Sequence, residues 1–244
     1  MANLRFYTNN PLTLGATIQL SDSAAAHATR ALRLSVGDSA IVFNGNGFDY
    51  ECELASIKKN EVLAKITATK QINNASPLRI TLLQAISSGD RMDYTIQKAV
   101  ELGVTSIQPI TSQRSVVKLS AERAKKRTEH WQNVAISACE QSGRTLVPNV
   151  AAPLSLQQWL AANPKANSMR LLLNPIGALR LTELAKPNDE IQLLIGAEGG
   201  LAEVEIDLAN NYGFQSIVLG PRILRTETAA LATISALQTL WGDF

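Results

Sequence analysis

The sequence predicts an α/β protein in two parts, a small β-rich module followed by a larger domain on a mostly parallel sheet. Three observations predict it. Residues 1–72 hold short β-type runs separated by turn residues. A polar, proline-terminated stretch, Gln71 to Pro77 (QINNASP), comes next and marks a domain boundary, giving residues 1–72 and 73–244. Beyond it, apolar strand-like runs alternate with helical segments up to the C-terminus.

Composition agrees with a soluble globular chain: 45% of its 244 residues are hydrophobic and 18% charged. No apolar run approaches the ~20 residues of a membrane span. The opening MANLRFYTNN lacks the apolar core of a signal peptide. Two distant cysteines, Cys52 and Cys139, fit free thiols in a reducing cytoplasm, which is the expected location. The net charge of +2 is unevenly spread: Lys plus Arg against Asp plus Glu is 7 to 6 in residues 1–72, 10 to 6 in 73–150 and 6 to 9 in 151–244. A localised basic surface in the first two-thirds suits a polyanion, or is simply a solvated face.

In chain order, Arg5-Phe6-Tyr7 can stack on a base and grip a phosphate, or anchor a first strand; aromatic residues favour the anchor. Asp22-Ser23 caps a helix over AAAHATRALRL, on which His27, Arg30 and Arg33 recur every three residues as a candidate phosphate-contacting face, up to a stop at Gly37-Asp38. Ala40–Phe43, Tyr50–Ala55 and Val62–Thr67 read as strands, joined by the Asn44-Gly45-Asn46-Gly47 turn and by a turn at Lys58-Lys59-Asn60. In the second part, Arg79–Ile86 is a buried strand, Asp93–Leu102 a helix ended by Gly103, and Ser106–Ile110 the next strand. The loop TSQRSVVKLS, with Arg114 and Lys118, leads to a helix from Ala121 to Gln141 whose first half is strongly basic; Gly143 stops it and Arg144 follows. Then come a strand at Arg170–Asn174, a helix around Leu179–Ala185, a strand at Ile191–Ile195, a helix from Ala202 to Tyr212, a strand at Ile217–Leu219 and an apolar helix over Ala229–Leu240.

Several chemistries are absent from the sequence. It holds no G-x-x-x-x-G-K-[ST] loop, G-x-G-x-x-G fingerprint, C-x-x-C pair, H-E-x-x-H or G-x-S-x-G elbow, and its only histidines are His27 and His130. A triphosphatase, dinucleotide dehydrogenase, zinc hydrolase or α/β-hydrolase is disfavoured, and no metal site is expected. Three strand-end loops remain: Asn174-Pro175, Gly196 to Gly200 (GAEGG) and Gly220 to Thr228 (GPRILRTET). Glycines after strands let a ligand approach the main chain, or merely make tight turns. Packing alone requires none of the arginines, threonines and glutamate in the last loop.

IGAEGG followed by LGPRILRTETAAL, and preceded by DYTIQKAVELGV, Arg114-Ser115 and ACEQSGRTLVP, closely resembles the RsmE family of bacterial 16S ribosomal RNA (uracil-N3)-methyltransferases of the SPOUT class. RFY and HATRALRLSVGD extend the resemblance over nearly the whole chain. One departure is Ala197, where the family usually has proline, so the loop loses a fixed φ without losing a chemical group. The resemblance implies a PUA-like RNA-binding β-barrel and a C-terminal α/β domain with a deep trefoil knot. It also implies S-adenosylmethionine as cofactor, held by Leu172, Leu173, Asn174 and Pro175, by Ile195, Gly196, Glu198, Gly199 and Gly200, and by Leu219, Gly220, Arg222, Ile223, Leu224 and Thr228. A homodimer through the knot region and a small-subunit 16S rRNA substrate are implied as partners.

For methylation at uracil N3, Arg225 is the first candidate to stabilise developing negative charge at the uracil oxygens. Glu227 or Glu198 would accept the N3 proton, or would only order the loops. Arg5, His27, Arg30, Arg33, Arg114, Lys118 and Arg144 are the RNA-binding candidates, helped by Lys125, Lys126 and Arg127, with Arg5 acting in cis or in trans. Two alternatives stay open on the sequence: a SPOUT enzyme for another RNA nucleotide, and a non-catalytic ribosome-assembly factor. The intact glycine loops and Arg-Thr-Glu-Thr segment speak against the second.

Overall fold

Alternating apolar and polar side chains produce the two longest strands of the protein, β4 (Phe48–Lys58) and β5 (Glu61–Gln71), each with one buried face. The computed structural model describes residues 4–58, 61–115, 117–164, 167–176 and 179–244; Lys59 and Asn60 of the expected turn, and Val116 of the expected loop, lie outside them. Two compact units result, Met1–Ala75 with Cys139–Val147, and Ser76–Ala138 with Pro148–Phe244. The segment Cys139–Val147 is thus remote in sequence from the unit it packs in.

In the first unit, β1 (Arg5–Tyr7), β2 (Thr17–Gln19), β3 (Ser39–Phe43), β4 and β5 form a sheet of order β1-β3-β4-β5-β2. The β1–β3 pair is parallel and the others antiparallel. The Asn-Gly-Asn-Gly turn joins β3 to β4, with φ +87° at Gly45 and +89° at Gly47, which glycine adopts without a Cβ penalty. Phe6, Val42, Leu54, Val62, Ala64 and Ile66 fill the core.

The capped helix starts one residue earlier than expected: Ser21 accepts from the Ala24 amide to cap α1 (Asp22–Ala26). α1 widens into a π-helical turn at His27–Ala31, and Arg33 takes a positive φ of 54°. His27, Arg30 and Arg33 are all exposed but do not line one regular α-helical face.

Arg5 is held inside this unit. Its guanidinium pairs with Asp49 at 2.6 Å, lies 4.7 Å from the Phe43 ring centroid and donates to the Arg144 carbonyl. With its side chain 7% exposed and paired, Arg5 anchors the first strand in the core of this unit, the reading its aromatic neighbours favour. Burial raises the Glu140 carboxyl pKa, against the lowering effect of a Tyr7 amide that donates to it.

The second unit is an all-parallel sheet in the order β11-β13-β10-β12-β6-β7-β8, with β9 beside β7. Its strands are β6 (Ile80–Ala85), β7 (Ser106–Thr111), β8 (Asn149–Val150), β9 (Leu154–Ser155), β10 (Met169–Leu173), β11 (Leu179–Arg180), β12 (Ile191–Ile195) and β13 (Gln215–Val218). Near-continuous apolar runs, such as Ile191–Ile195 with every residue buried, suit strands covered on both faces. The helices are α2 (Arg91–Glu101), α3 (Ala121–Ser142), α4 (Leu156–Ala162), α5 (Glu203–Asn211) and α6 (Thr226–Trp241). The helix expected at Leu179–Ala185 is instead the short strand β11 and a 3-10 turn at Leu181–Glu183, because Leu179 and Arg180 pair with Ile217 and Val218. α4 went unpredicted; Ser155 and Gln158 form its capping box.

Two buried polar side chains tie this unit together. Arg170 of β10 donates to Gln192 and to the carbonyls of Tyr212, Asn163 and Pro164, with its guanidinium within 6 Å of the Trp159 and Phe214 ring centroids. Gln238, near the end of α6, accepts from Ser76 and donates to the Leu102 carbonyl.

Because breaking a buried ion pair leaves its partner charge uncompensated, Arg5→Ala is expected to destabilise the first unit by about 3–5 kcal/mol. Urea unfolding followed by hydrogen exchange at β3 and β4 amides checks this, with little change expected at β12.

Candidate active site

In a parallel sheet every strand delivers its carboxyl end to the same edge. β10, β12 and β13 end at Leu173, Ile195 and Val218, and the loops that follow wall a cavity of about 670 Å³. Leu172, Leu173, Asn174, Pro175, Ile195, Gly196, Glu198, Gly199, Gly200, Leu219, Gly220, Arg222, Ile223 and Leu224 all line it, as do Arg225 and Glu227. Thr228 sits exposed on α6 and is not among the residues of the wall.

The GAEGG loop folds back tightly. The Gly200 amide donates to the Ala197 carbonyl at 2.9 Å, and Gly200 takes φ +67°. A Cβ on Gly196 would stand 2.9 Å from the Gly200 carbonyl carbon, so no side chain fits there. Gly199 packs against Arg114, whose guanidinium donates to the Gly199 carbonyl at 3.2 Å. Arg114, expected on an RNA-facing surface, is therefore part of the cavity wall. Gly220, at φ +113°, turns the chain out of β13.

Thr226 fastens this loop to the sheet. Its buried hydroxyl donates to the Gly196 carbonyl at 2.6 Å and accepts from Gln84 Nε2 at 2.9 Å. Ser115, buried nearby in sequence to Arg114, donates to the Ile86 carbonyl at 2.6 Å. The sequence-based site set omits Thr226, Gln84, Ser88 and Arg91. A polar Gln84 inside the apolar run RITLLQAI was the available signal, since buried polar groups are there to be paired.

The carboxylates differ. Glu198 Oε1 accepts from the Ser88 amide at 2.9 Å, the Ser88 hydroxyl at 2.8 Å and Arg91 at 3.0 Å. Partial burial raises its pKa, but the Ser88 and Arg91 bonds outweigh that and hold it below the ordinary glutamate value. Glu227, in the first turn of α6, has a buried Oε2 with no hydrogen-bond partner among the described residues. Arg222 and Arg225 are exposed at the rim.

Of the remaining RNA candidates, His27, Arg30 and Arg33 lie exposed in the first unit, where His27 meets the Phe6 ring edge-on, and the half-buried Arg144 gives its carbonyl to Arg5. Lys118, Lys125, Lys126 and Arg127 are exposed in the second unit; Lys126 pairs with Glu122. Among the described residues there is no group of three or more His, Cys, Asp and Glu side chains able to hold a metal, and no helix is long and apolar enough to cross a membrane.

Comparison with known proteins decides the family. Residues 74–238 match the RNA methyltransferase domain, and residues 20–67 match the RNA methyltransferase PUA domain. The ribosomal RNA small subunit methyltransferase E of Buchnera aphidicola from Acyrthosiphon pisum is 36% identical, over 98% of this chain and 94% of that protein. The chain belongs to the small subunit methyltransferase E family. Among solved structures, the family member from Neisseria gonorrhoeae bound to S-adenosyl methionine superposes with a TM-score of 0.92 at 43% identity, covering 99% of each chain. A methyltransferase from Legionella pneumophila in complex with bound SAM superposes at 0.96 with 35% identity, covering 100% of each. This family member thus has an α/β fold with an N-terminal PUA-like domain and a C-terminal RNA methyltransferase domain.

Since the folded pKa of Glu198 is depressed, its contribution is fully present above the unfolded value and lost as pH falls through the folded one. Glu198→Gln is expected to cost about 1 kcal/mol at neutral pH. The difference from wild type should close as pH drops below about 4, read by urea unfolding across pH.

Proposed function

We propose that this protein transfers a methyl group from S-adenosylmethionine to N3 of one uridine in 16S ribosomal RNA of the small subunit. The single observation that carries this is the convergence of three strand-end loops on one cavity, in a chain whose relatives include small subunit methyltransferases, one of them solved with that cofactor bound. The cavity fits the cofactor on its own terms. About 670 Å³ is within the range of small-molecule sites, and the glycine-lined backbone leaves room for a ligand against the main chain. Leu172 to Pro175, Ile195 to Gly200 without Ala197, and Leu219 to Leu224 without Pro221 are the residues that would hold it. The cofactor supplies an electrophilic methyl carbon on a sulfonium whose sulfur keeps the electron pair of the broken bond.

The chain's own contribution is placement and charge. Rate comes chiefly from holding uracil N3 in line with the methyl carbon. Arg225, an exposed arginine whose side chain makes no hydrogen bond or ion pair among the described residues, is suited to stabilise negative charge on the uracil oxygens. His27, Arg30 and Arg33 in the first unit, and Lys118 with the basic half of α3 in the second, supply phosphate-binding charge. The three loops form the deep trefoil knot of this class, within a domain covering residues 73–244 that follows a PUA-like barrel of residues 1–72. The protein acts as a homodimer through the knot region in the cytoplasm, where its substrate is assembled. The exposure of Ile176 and Ile223 on the cavity wall, at 91% and 84%, supports a covering partner there.

Mass spectrometry of 16S rRNA from cells with and without the gene tests the activity: one uridine methyl group should disappear on deletion and return with the wild-type gene. Arg225→Ala should slow single-turnover methylation by about 100-fold or more while calorimetric affinity for S-adenosylmethionine stays normal.

A further inference from the structure

Proton transfer needs a group able to take the hydrogen that neutral uracil carries on N3. Among the described residues of the cavity wall there is no His, Lys, Cys, Tyr or Asp; the acceptors are the carboxylates of Glu198, Glu203 and Glu227. Glu203 is exposed at the start of α5, where water solvates its carboxylate. Glu198 already accepts three hydrogen bonds on Oε1, two of them from Ser88 and one from the Arg91 guanidinium. Every one of these bonds favours the ionised form, which makes Glu198 a weak base and a strong anchor. Glu227 has no such donors. Its carboxylate lines the cavity and makes no hydrogen bond among the described residues, its buried Oε2 included, so no donor there competes with a ligand for it. Its position is not adaptable, since the preceding Thr226 is pinned to Gly196 and Gln84.

We propose that Glu227 is the proton acceptor for uracil N3, and that Glu198 is a positioning residue that ties the GAEGG loop to the Ser88–Arg91 segment. This rests on the methylation reading above. The N–H proton moves to the Glu227 carboxylate as the N3 electron pair forms the new bond to the methyl carbon and the methyl–sulfur pair stays on sulfur. The carboxylate becomes a carboxylic acid, the sulfonium a neutral thioether, and the proton then passes to solvent. Glu198 stays ionised throughout and acts only through the loop.

The two roles separate experimentally. Glu227→Gln keeps the side-chain shape but not the basicity, so single-turnover methylation of 16S rRNA should fall by about 100-fold or more, while calorimetric affinity for S-adenosylhomocysteine remains that of wild type. RNA carrying 5-fluorouridine at the target, whose N3 proton is more acidic, should restore much of the lost rate, because less basicity is then needed. Glu198→Gln should instead weaken S-adenosylhomocysteine binding by about tenfold and show no selective rescue by 5-fluorouridine. An unchanged rate in Glu227→Gln, lost S-adenosylhomocysteine binding in that variant, or a slow rate that the acidic base does not rescue would each overturn the assignment. If Glu227→Gln does not melt like wild type, Glu227→Asp replaces it; a reduced rate with binding retained supports the proposal, and a full rate overturns it. A wild-type protein that leaves N3 of 16S rRNA unmethylated sinks the functional reading itself, whereas an active wild type with an active Glu227→Gln sinks only this proposal.

Discussion

The hydroxyl of Thr226 is the hinge pin of the second unit. A single buried oxygen donates to the Gly196 carbonyl and accepts from Gln84, so the loop after β12, the strand β6 and the first turn of α6 share one fixed point. Gln84 is fully buried, so losing the hydroxyl would leave its Nε2 only the bond to the Ala85 carbonyl and would free the Gly196 loop from the helix. The consequence reaches both neighbours in sequence. Arg225 caps α6 in an extended conformation and Glu227 enters its first turn, so both are presented to the cavity by a turn that cannot slide. At the far end, Gln238 clamps α6 to Ser76 and Leu102, which leaves the helix little freedom along its axis.

Charge around the cavity is divided between groups that hold the wall and groups left for a ligand. Arg91 and Arg114 belong to the wall, one paired with Glu198 and the other bonded to the Gly199 carbonyl. Both therefore brace the GAEGG loop from strand-end segments elsewhere in the sheet. Arg222 and Arg225 remain exposed, and Glu227 keeps an unpartnered oxygen. A loop rich in glycine needs such bracing, because the freedom that lets a ligand approach its backbone also costs order in the folded state. At Ala197 the turn is closed by its carbonyl accepting from Gly200, a bond that does not depend on which side chain sits there.

Much of this was legible in the sequence because the signals are local. Ile191–Ile195 reads as a buried strand from five consecutive residues, and GAEGG and GPRILRTET stand out as loops by composition alone. What was not legible depends on contacts between distant residues. The Leu179–Ala185 segment has helical composition, yet Leu179 and Arg180 take the free edge of β13. The Cys139–Val147 segment continues a helix of one unit while packing in the other, a choice no periodicity records. Glu198 and Glu227 look equivalent as two acids in polar loops; only the partners supplied by Ser88 and Arg91 tell them apart.

Arg5 carries the same lesson into electrostatics. Beside two aromatics near the start of a basic region, it has the composition of a nucleic-acid contact, as Arg225 has in its own loop. What separates the two is the nearest carboxylate. Asp49, buried on β4, pairs with Arg5 at 2.6 Å, so the desolvation of the two charges is partly offset within the chain. No carboxylate among the described residues reaches Arg225, and its charge stays in water at the rim of the cavity, where a ligand that shed its own water would feel it most strongly. An arginine's role is thus decided less by its loop than by whether the fold has already given it an anion.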